Sequence, residues 1–588
     1  MGNFLLLGDL IKITNWLTPV WFLSVGISLG FLLIILAIML IKALQPVSRL
    51  NAIAESKGSW IVAGGISTLL LAAGGMGLIL WQSPSFFSEY ENPIGLAVVL
   101  VLFLSLFFGF GFWKLIGRRF RPEMDDLLFD GLLIWVNRIF VGLALFAVIG
   151  VLLDWVNGFG IVTVVKDTNG IFESLKRLPQ LGEFERTVTV PSSDFESVGE
   201  QVDVSFVGSE LVLMSILSNR RLEVSAFPIT AETTPGDFFA VEPTDGDPLL
   251  YMRRADGTGP IPEGQIDHLF VKNLGRDPAT VTFKYTLAPV YREVSLIPKT
   301  ALIVFICYLG FMIFPTFCPK IYAIAFSTFK TEVGQPLFWF ITGMVGLFLL
   351  VTLFIPYNTF GDDIKMYTDS GLTFIRVAAI FLAIWAASKS VAEEIEGRTA
   401  LTVLSKPVGR RQFIIGKFTG ISMAIGLMFM FVGLWFFIWV AFKPIYDFQE
   451  ASKGLAEWTV CFEEATSVLP GLFLSFLQGI IFVGISIAIS TRMGMLGNFL
   501  ICFAIYVNGH LTPLLVQSQL GSFEIVAFFS QITAVVFPVL ANYDVQSAIA
   551  KNAVVPFSYL GWTTVYTLIY STLSLVVALI LFEDRDLA

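Results

Sequence analysis

Charged residues are scarce in this chain of 588 residues. Asp, Glu, Lys and Arg together make up 14% of it, whereas a soluble domain carries about 25%. Hydrophobic residues make up 55%, and the mean hydropathy is +0.78. That balance excludes a soluble globular protein. The net charge of −9 comes without a clustered basic face, which excludes a nucleic-acid-binding protein. The composition is typical of a protein that crosses a membrane several times.

Cysteine and histidine are nearly absent, with four and two residues respectively. Cys307, Cys318, Cys461 and Cys502 lie in or beside apolar segments, without the paired spacing of a metal site or a disulfide framework. We expect each cysteine to be a small buried apolar side chain. The sequence therefore predicts that this chain itself binds no metal and no cofactor.

Long apolar runs supply about eleven candidate membrane spans, each near the roughly 20 residues that a bilayer core requires. The predicted fold is a polytopic α-helical membrane protein. The runs cover roughly residues 19–44, 60–81, 93–116, 132–156, 296–317, 337–355, 372–390, 413–442, 468–490, 496–515 and 557–582.

The charges between these runs predict the orientation. The loops around Arg49 and at residues 117–126 are basic or mixed, whereas residues 83–92 are acidic only. Because cytoplasmic loops are enriched in Lys and Arg, we expect the N-terminus outside, the C-terminus inside and a long outer loop at residues 443–467. The first 16 residues lack a basic start and a cleavage site, so they are expected to form a short interfacial helix and not a signal peptide.

Between residues 157 and 295 the apolar runs shorten. Segments such as QVDVSFVG and ATVTFKYTL alternate at the period of a strand, and turn formers such as PTDGDP separate them. Such spacing predicts an inserted β-sandwich-like domain, which the loop charges place on the extracytoplasmic side. Its histidine, His268, adjoins Asp267, but neighbours in a strand point to opposite faces. Binding, spacing or assembly is therefore favoured over catalysis.

A charged insert interrupts the later spans. Residues 388–420 read SKSVAEEIEGRTALTVLSKPVGRRQFIIGKFTG. Each ionised side chain at the bilayer centre costs at least ~2.5–3.5 kcal/mol, so the block is expected at the membrane surface. Arg410, Arg411 and Lys417 indicate the cytoplasmic side and are expected to contact lipid headgroups. Ahead of the insert, residues 321–336 have the pattern of an amphipathic interfacial helix.

The order of these segments resembles the permease subunit of ABC-2 type exporters, and more narrowly the permease branch of copper-enzyme maturation transporters. The interfacial helix, the insert, PVLANYD at residues 538–544 and ALILFEDRDL at residues 578–587 carry the resemblance, over roughly residues 321–588. The first 317 residues carry no recognised motif. We divide the chain into an N-terminal membrane module (1–156), the β-rich domain (157–295), a fifth span (296–317) and a permease domain (318–588).

The resemblance implies that the insert, at residues 388–412, forms a coupling helix that docks into a separate ATPase. Early acidic and late basic residues complement a helix dipole, Leu401 and Leu404 share one helical face, and Pro407 ends or bends the helix. The alternative is an ordinary solvated loop. The predicted coupling residues are Glu393, Glu394, Glu396, Arg398, Thr399, Leu401, Leu404, Pro407 and Arg410.

No phosphate-binding loop of the G-x-x-x-x-G-K-[ST] form occurs in the chain; the Gly416-Lys417 pair lacks the hydroxyl residue. ATP and magnesium are therefore expected on the partner ATPase. The resemblance further implies a homodimer or a related second permease, two ATPase subunits and a bacterial inner membrane.

Polar residues within the spans are candidates for a pathway or gate. Asn508, Gly509 and His510 interrupt the outer half of the fifth permease span, which indicates either a gate, or close packing or a kink. Arg376 and Arg492 lie near span ends, where contact with headgroups is expected.

The predicted function is the permease of an ATP-driven exporter, whose Phe-, Leu- and Ile-rich spans favour amphipathic or lipidic cargo. One alternative is an ATP-driven mechanical transmitter that acts through the outer domain on an envelope protein or glycan. Another is a membrane-anchored binding module without transport, for which the coupling insert has no use.

Overall fold

A computed structural model describes most of the chain. The chain comprises two compact units: residues 1–76, 92–166 and 299–588 form one, and residues 77–91 with 167–298 form the other. The described residues are 13–56, 58–86, 93–116, 132–155, 168–192, 199–229, 238–243, 248–252, 260–355, 363–397, 408–452, 454, 456–517, 528, 536–550 and 553–583.

The N-terminal part contains five described helices, four of them at predicted spans. In the four helices at predicted spans, apolar residues surround the helix on all sides, as expected for helices in contact with lipid and with each other. Most of the predicted N-terminal interfacial helix lies outside the described residues, which begin with a 3₁₀ turn at Ile13–Trp16. The helices are α1 (Leu17–Leu44), α2 (Ser48–Glu55), α3 (Ser59–Phe86), α4 (Pro93–Ile116) and α5 (Leu132–Trp155).

The β-rich segment follows helix α6 (Thr168–Arg177) and consists of two four-stranded antiparallel sheets, ordered β1-β8-β3-β6 and β2-β7-β4-β5. Alternate side chains of both sheets, among them Met214, Val271 and Phe283, form one hydrophobic core. The predicted sandwich-like arrangement is therefore present. The strands are β1 (Gly182–Val190), β2 (Glu200–Val207), β3 (Leu211–Ser218), β4 (Leu222–Ser225), β5 (Phe239–Val241), β6 (Leu249–Met252), β7 (Gln265–Asn273) and β8 (Ala279–Leu287).

The remaining helices follow the predicted order. Pro319 and Pro336 stand in the first turns of α8 and α9, where the missing N–H of proline costs no helical hydrogen bond. The helices are α7 (Leu296–Phe317), α8 (Pro319–Val333), α9 (Pro336–Leu353), α10 (Asp363–Ala387), α11 (Glu393–Glu396), α12 (Arg410–Glu450), α13 (Trp458–Ser490), α14 (Met495–Gln517), α15 (Gln546–Ala550) and α16 (Phe557–Glu583).

Nine helices in the described part of the chain are long and apolar enough to cross a membrane. Helices α4 and α14 contain shorter apolar stretches, Val101–Ile116 and Met495–Leu511. Each of the eleven predicted runs thus coincides with a helix. The chain is a multi-pass membrane protein with an inserted β region.

Three helices extend beyond their apolar runs. Helix α10 begins at Asp363, α12 continues to Glu450, and α13 begins at Trp458. The prediction of a long loop at residues 443–467 is therefore wrong, since only about 451–457 separate the two helices. A hydropathy window detects apolar turns only, whereas pairs such as Lys443 and Asp447, 2.9 Å apart at i,i+4, continue the helix into polar sequence.

Helix α13 lies at the centre of the helical unit. It packs against α10, α12, α14 and α16, and it is the most buried of the nine candidate spans. Helix α8 crosses the first turns of α12 at Gly420, where an added Cβ would lie 2.5 Å from the carbonyl oxygen of Ala325 and 2.7 Å from Cβ of Thr328. Only glycine permits this close approach.

The N-terminal helices share this packing. Trp21 on α1 is fully buried, and its Nε1 donates to the carbonyl oxygen of Ala147 on α5 at 3.0 Å. The ring of Phe22 stacks on Trp458 of α13, with 6.0 Å between centroids. The N-terminal module and the later helices therefore belong to one packed helical unit.

Candidate functional site at the ends of the charged insert

Helix α10 leads into the insert through an irregular turn. Its last regular residue is Ala387, a π-helical turn covers Ser388–Ala392, and the short helix α11 follows. Single π turns inside helices occur frequently at functional sites. Of the predicted coupling residues, Arg398, Thr399, Leu401, Leu404 and Pro407 lie outside the described residues, as does the side chain of Glu396.

The entrance to the insert is tied to the helix that leaves it. Nζ of Lys417, two turns into α12, lies 2.5 Å from Oε1 of Glu394 on α11. The lysine side chain is 8% exposed and also lies 5.4 Å from the ring of Phe413. The expectation that Lys417 contacts headgroups is wrong, because its ammonium is buried against an acidic residue of the insert. Glu393 is exposed one residue earlier.

A second acid, Glu332 on α8, lies near this ion pair. Its side chain is 3% exposed and accepts a 3.1 Å hydrogen bond from Nε2 of Gln335. Burial raises the pKa of Glu332 to about 7; Lys417 and Lys389 oppose this rise, and Glu394 adds to it. The interfacial helix, the π turn and the start of α12 therefore meet in one cluster of charges.

A buried polar cluster holds the π turn to two spans. Nδ2 of Asn498, in the first turns of α14, lies 2.7 Å from the hydroxyl oxygens of Ser388 and Ser486 and 2.8 Å from that of Ser490. All four side chains are fully buried, and the thiol of Cys502 donates to Oδ1 of Asn498 at 3.2 Å. Satisfied buried polar networks fix the relative positions of the elements that they join.

The far end of the insert is held as well. Nη1 of Arg410 donates to the backbone carbonyl oxygen of Glu583, at the end of α16, at 2.8 Å, and its guanidinium lies 5.7 Å from the ring of Phe582. The backbone N–H of Gly409 donates to Oε1 of Gln412 at 3.2 Å. Both flanks of residues 398–407 are thus fixed to spans.

At the opposite end of the helices, Arg376 on α10 is 4% exposed, and its Nη2 lies 3.9 Å from Oδ1 of Asp544. The expectation that Arg376 contacts headgroups is therefore wrong. Asp544 belongs to the PVLANYD segment, whose Tyr543 hydroxyl lies 2.6 Å from Oγ1 of Thr567 on α16. This segment is packed into the helical unit.

Helix α14 runs without interruption through Asn508, Gly509 and His510. Nδ1 of His510 lies 3.0 Å from the carbonyl oxygen of Tyr506, so Nδ1 is the donor and carries the proton. An added Cβ at Gly509 would lie 2.7 Å from Cγ of Leu540. The glycine therefore permits close packing of the PVLANYD segment, and the expected interruption is absent from the backbone.

In the β region, His268 pairs with a residue of the neighbouring strand. Its Nδ1 lies 2.9 Å from Oδ1 of Asp203, and both side chains are largely exposed. The register aligns Asp203 with His268 across β2 and β7, so this is a cross-strand contact on a sheet surface.

Cysteine environments differ from one another. Cys461 and Cys502 are buried, as expected, whereas Cys318 is half-buried and Cys307 is exposed on α7. The prediction of four buried thiols is therefore wrong for Cys307, since an apolar residue of a spanning helix is as readily exposed on its outer face as buried.

Sequence reasoning missed the roles of Glu332 and Asn498. The buried residues of α8 are Ala325, Thr328, Phe329, Glu332 and Val333, at positions i, i+3, i+4, i+7 and i+8 of one face. A carboxylate on that stripe was the available signal for Glu332. Asn498 gave no such signal, because its three hydroxyl partners lie on other helices.

A comparison with known protein families finds a match over the second half of the chain, which contains the charged insert. The family described as ABC-2 family transporter protein matches residues 294–587, half of the 588 residues. The match includes α7 and therefore begins before residue 321, where the resemblance in the sequence begins. No curated protein matches the chain.

Proposed function

Because the chain belongs to the ABC-2 family of transporter proteins and is the permease of an ABC transporter, we propose that it is the membrane subunit of an ATP-driven exporter. A separate cytoplasmic ATPase binds the insert at residues 388–412 and supplies the free energy for moving substrate. ATP and magnesium bind to that ATPase, and the residues that bind the ATPase are Glu393, Glu394, Glu396, Arg398, Thr399, Leu401, Leu404, Pro407 and Arg410.

One observation carries this proposal beyond the family: both flanks of the insert are fixed to spans. Glu394 is ion-paired with Lys417 on α12, and Arg410 is bonded to the end of α16. Asn498 on α14 contacts Ser388 of the π turn and Ser486 and Ser490 of α13, and so links the turn to both helices. A displacement of the insert by an ATPase would therefore be transmitted to α10, α12, α13 and α14 together, since packed elements move as units.

The binding of an ATPase is tested by affinity purification from native membranes. We expect the wild-type chain to recover an ATP-binding-cassette protein, and the double variant E396R/L401D to lose it. The matched control is E450R, a charge reversal at the exposed far end of α12. Failure to recover an ATPase with folded wild-type protein would contradict the proposal.

The functional assembly is proposed to contain two permeases, as a homodimer or with a related chain, and two ATPase subunits. The amphipathic or lipidic nature of the cargo is proposed from the scarcity of charge in the spans. Transport assays in proteoliposomes that contain fluorescent phospholipid analogues test this; ATP-dependent movement of a small hydrophilic solute alone would contradict it.

The proposed home is the bacterial inner membrane, with the insert and the C-terminus in the cytoplasm. If all eleven apolar helices cross, the β-rich domain at residues 157–295 and the N-terminus lie on the other side. Cysteine labelling with a membrane-impermeant maleimide tests this in a cysteine-free background. Labelling is expected at position 274 in intact cells and at position 450, but not at position 411.

Asn508 and His510 are proposed to line the pathway or its gate. Both are half-buried polar residues within an apolar helix, and polar groups at such positions are usually functional. Substitution H510L is expected to change the transport rate without loss of ATPase recovery. An unchanged rate in both H510L and N508L would contradict this role.

A further inference from the structure

Asn498 has more hydrogen-bond partners than its amide nitrogen can use at one time. Its Nδ2 lies 2.7 Å from Oγ of Ser388, 2.7 Å from Oγ of Ser486 and 2.8 Å from Oγ of Ser490. An amide nitrogen carries two hydrogens, and Ser486 and Ser490, which both belong to α13, are enough to accept them. Asn498 can therefore lose Ser388 without becoming an unsatisfied buried donor.

Ser388 carries two contacts at the entrance to the insert. It is the first residue of the π turn, and its carbonyl oxygen accepts the backbone N–H of Glu393. Its hydroxyl oxygen is the contact of the turn with Asn498 on α14. The Ser388 side chain is fully buried, and the turn packs against α13 and α14. One residue thus connects the winding of the turn to the α13–α14 pair.

The Ser388 hydroxyl has an alternative partner within its own helix. Serine and threonine hydroxyls in the spanning helices of this chain donate to the carbonyl oxygen four residues earlier, as Thr419 does to Ile415 at 2.8 Å. For Ser388 that acceptor is the carbonyl oxygen of Ile384 on α10. Because both Ser388 and Asn498 have other partners, breaking their bond avoids the main cost of opening a buried hydrogen bond, which is an unsatisfied group.

The π turn also has an alternative form. Its hydrogen bond joins residues i and i+5, whereas an α-helical bond joins i and i+4. In the α-helical form the N–H of Glu393 would bond to the carbonyl oxygen of Lys389. The residues from Glu393 onward would then move by about one helical residue, ~1.5 Å along the axis and ~100° around it. This shift would displace α11, with which the insert begins.

We propose that the Ser388–Asn498 bond keeps the turn in its π form, and that this bond breaks and re-forms during the transport cycle. When the bond breaks, the turn rewinds as an α-helix and the insert moves relative to α13 and α14. Ser388 and Asn498 are positioning residues, because they act through the turn and not on the substrate. The inference rests on the proposed function, in which an ATPase displaces the insert.

The chain supplies two matched controls for the variant S388A. The variant S390A removes a hydroxyl from the same turn, and this Oγ is buried without a hydrogen-bond partner among the described residues. The variant S486A removes a partner of the same amide, but from α13, and leaves Asn498 with two partners as S388A does. If the cluster only stabilised the fold, S388A and S486A would have the same effect.

The first measurement is hydrogen–deuterium exchange of the backbone amides of residues 389–397, in detergent micelles without an ATPase, because exchange reports local opening. We expect S388A to exchange roughly 3- to 10-fold faster than wild type, about the effect of one hydrogen bond. S390A and S486A should exchange at the wild-type rate. S388C, whose thiol forms weaker hydrogen bonds, should lie between wild type and S388A. Equal exchange in S388A and S486A would overturn the proposal. Size-exclusion chromatography checks that every variant is folded.

The second measurement uses proteoliposomes that contain the chain and the ATP-binding-cassette protein recovered with it. Movement of a fluorescent phospholipid analogue per ATP hydrolysed is expected to fall several-fold in S388A and to stay at the wild-type value in S390A and S486A. Faster exchange in S388A with an unchanged ratio would overturn the role in transport. Failure of the wild type to move substrate with ATP would contradict the proposed function instead, and the exchange rates would still decide whether the bond controls the turn.

Discussion

Single residues in this molecule depart from what their types suggest in a sequence. Lys417 and Arg376 stand near span ends, where long cations usually extend to the headgroups. Both are buried instead, Lys417 beside Glu394 and Arg376 near Asp544. Neither pairing is visible in the sequence, because the partners are 23 and 168 residues away and lie on segments with no periodic pattern of their own.

Removing the Lys417 ammonium tests its pairing. In K417M the carboxylate of Glu394 loses its close cation, and breaking a fully buried pair costs ~3–5 kcal/mol. Because the Glu394 side chain is 32% exposed, we expect a smaller loss, of about 1–3 kcal/mol. Unfolding in mixed SDS micelles measures it. The double variant K417M/E394Q should recover part of the loss, and a cost no larger than that of R492M would contradict the pairing.

Glu332 predicts a dependence of stability on pH. Burial raises its pKa in the fold to about 7, above the 4.5 that is usual for a glutamate in water, so the fold favours the protonated form. The resulting stabilisation is complete below pH ~4.5 and is lost as the pH rises through ~7. Lys417, Lys389, Glu394 and Glu393 are the charged groups that act on it.

The variant E332Q should therefore gain stability relative to wild type between pH 5 and pH 8, by about 1–3 kcal/mol, since one pKa unit corresponds to ~1.4 kcal/mol. Unfolding curves at both pH values measure the change, with E450Q as the exposed-carboxylate control. Parallel pH profiles of E332Q and wild type would contradict a buried, protonated Glu332.

At the scale of elements, hydrophobic runs predicted the positions of the helices well. Each of the eleven runs coincides with a helix, because twenty apolar residues leave few alternatives to a membrane-length helix. Helix ends were predicted less well, and α10, α12 and α13 continue into polar sequence. In the β region the alternating segments QVDVSFVG and ATVTFKYTL coincide with β2 and β8. Strands β5 and β6 are three and four residues long and show too little alternation to be recognised.

The crossing of α8 and α12 depends on a glycine that gave no signal in the sequence. In G420A the new Cβ meets the carbonyl oxygen of Ala325 at 2.5 Å, and a helical carbonyl has little freedom to move. We expect α8 to be displaced at a cost of about 1–3 kcal/mol. In the control G426A the nearest atom is a ring carbon of Phe476 at 3.7 Å, so the change should be neutral or stabilising by up to ~1 kcal/mol. Equal stabilities of the two variants would contradict the close crossing.

At the scale of the whole molecule, the candidate site consists of helix ends that are bonded to one another on both flanks of residues 398–407. The sequence identified the insert, its acidic start and its basic end, and the resemblance supplied a role for it. The arrangement depends on interactions between distant segments. Lys417 pairs with Glu394, Asn498 contacts three serines, and Arg410 is bonded to the end of α16. Such contacts follow from helix packing, which no local pattern encodes.

The most direct test of the account is a photo-crosslink from the insert. A photoreactive amino acid replaces Leu404 in one version of the chain and Glu450, at the far end of α12, in the other, and both are irradiated in native membranes. The account predicts a crosslink from position 404 to an ATP-binding-cassette protein and none from position 450. No crosslink to such a protein from position 404, with the chain folded and present at its normal level, would contradict the proposed coupling.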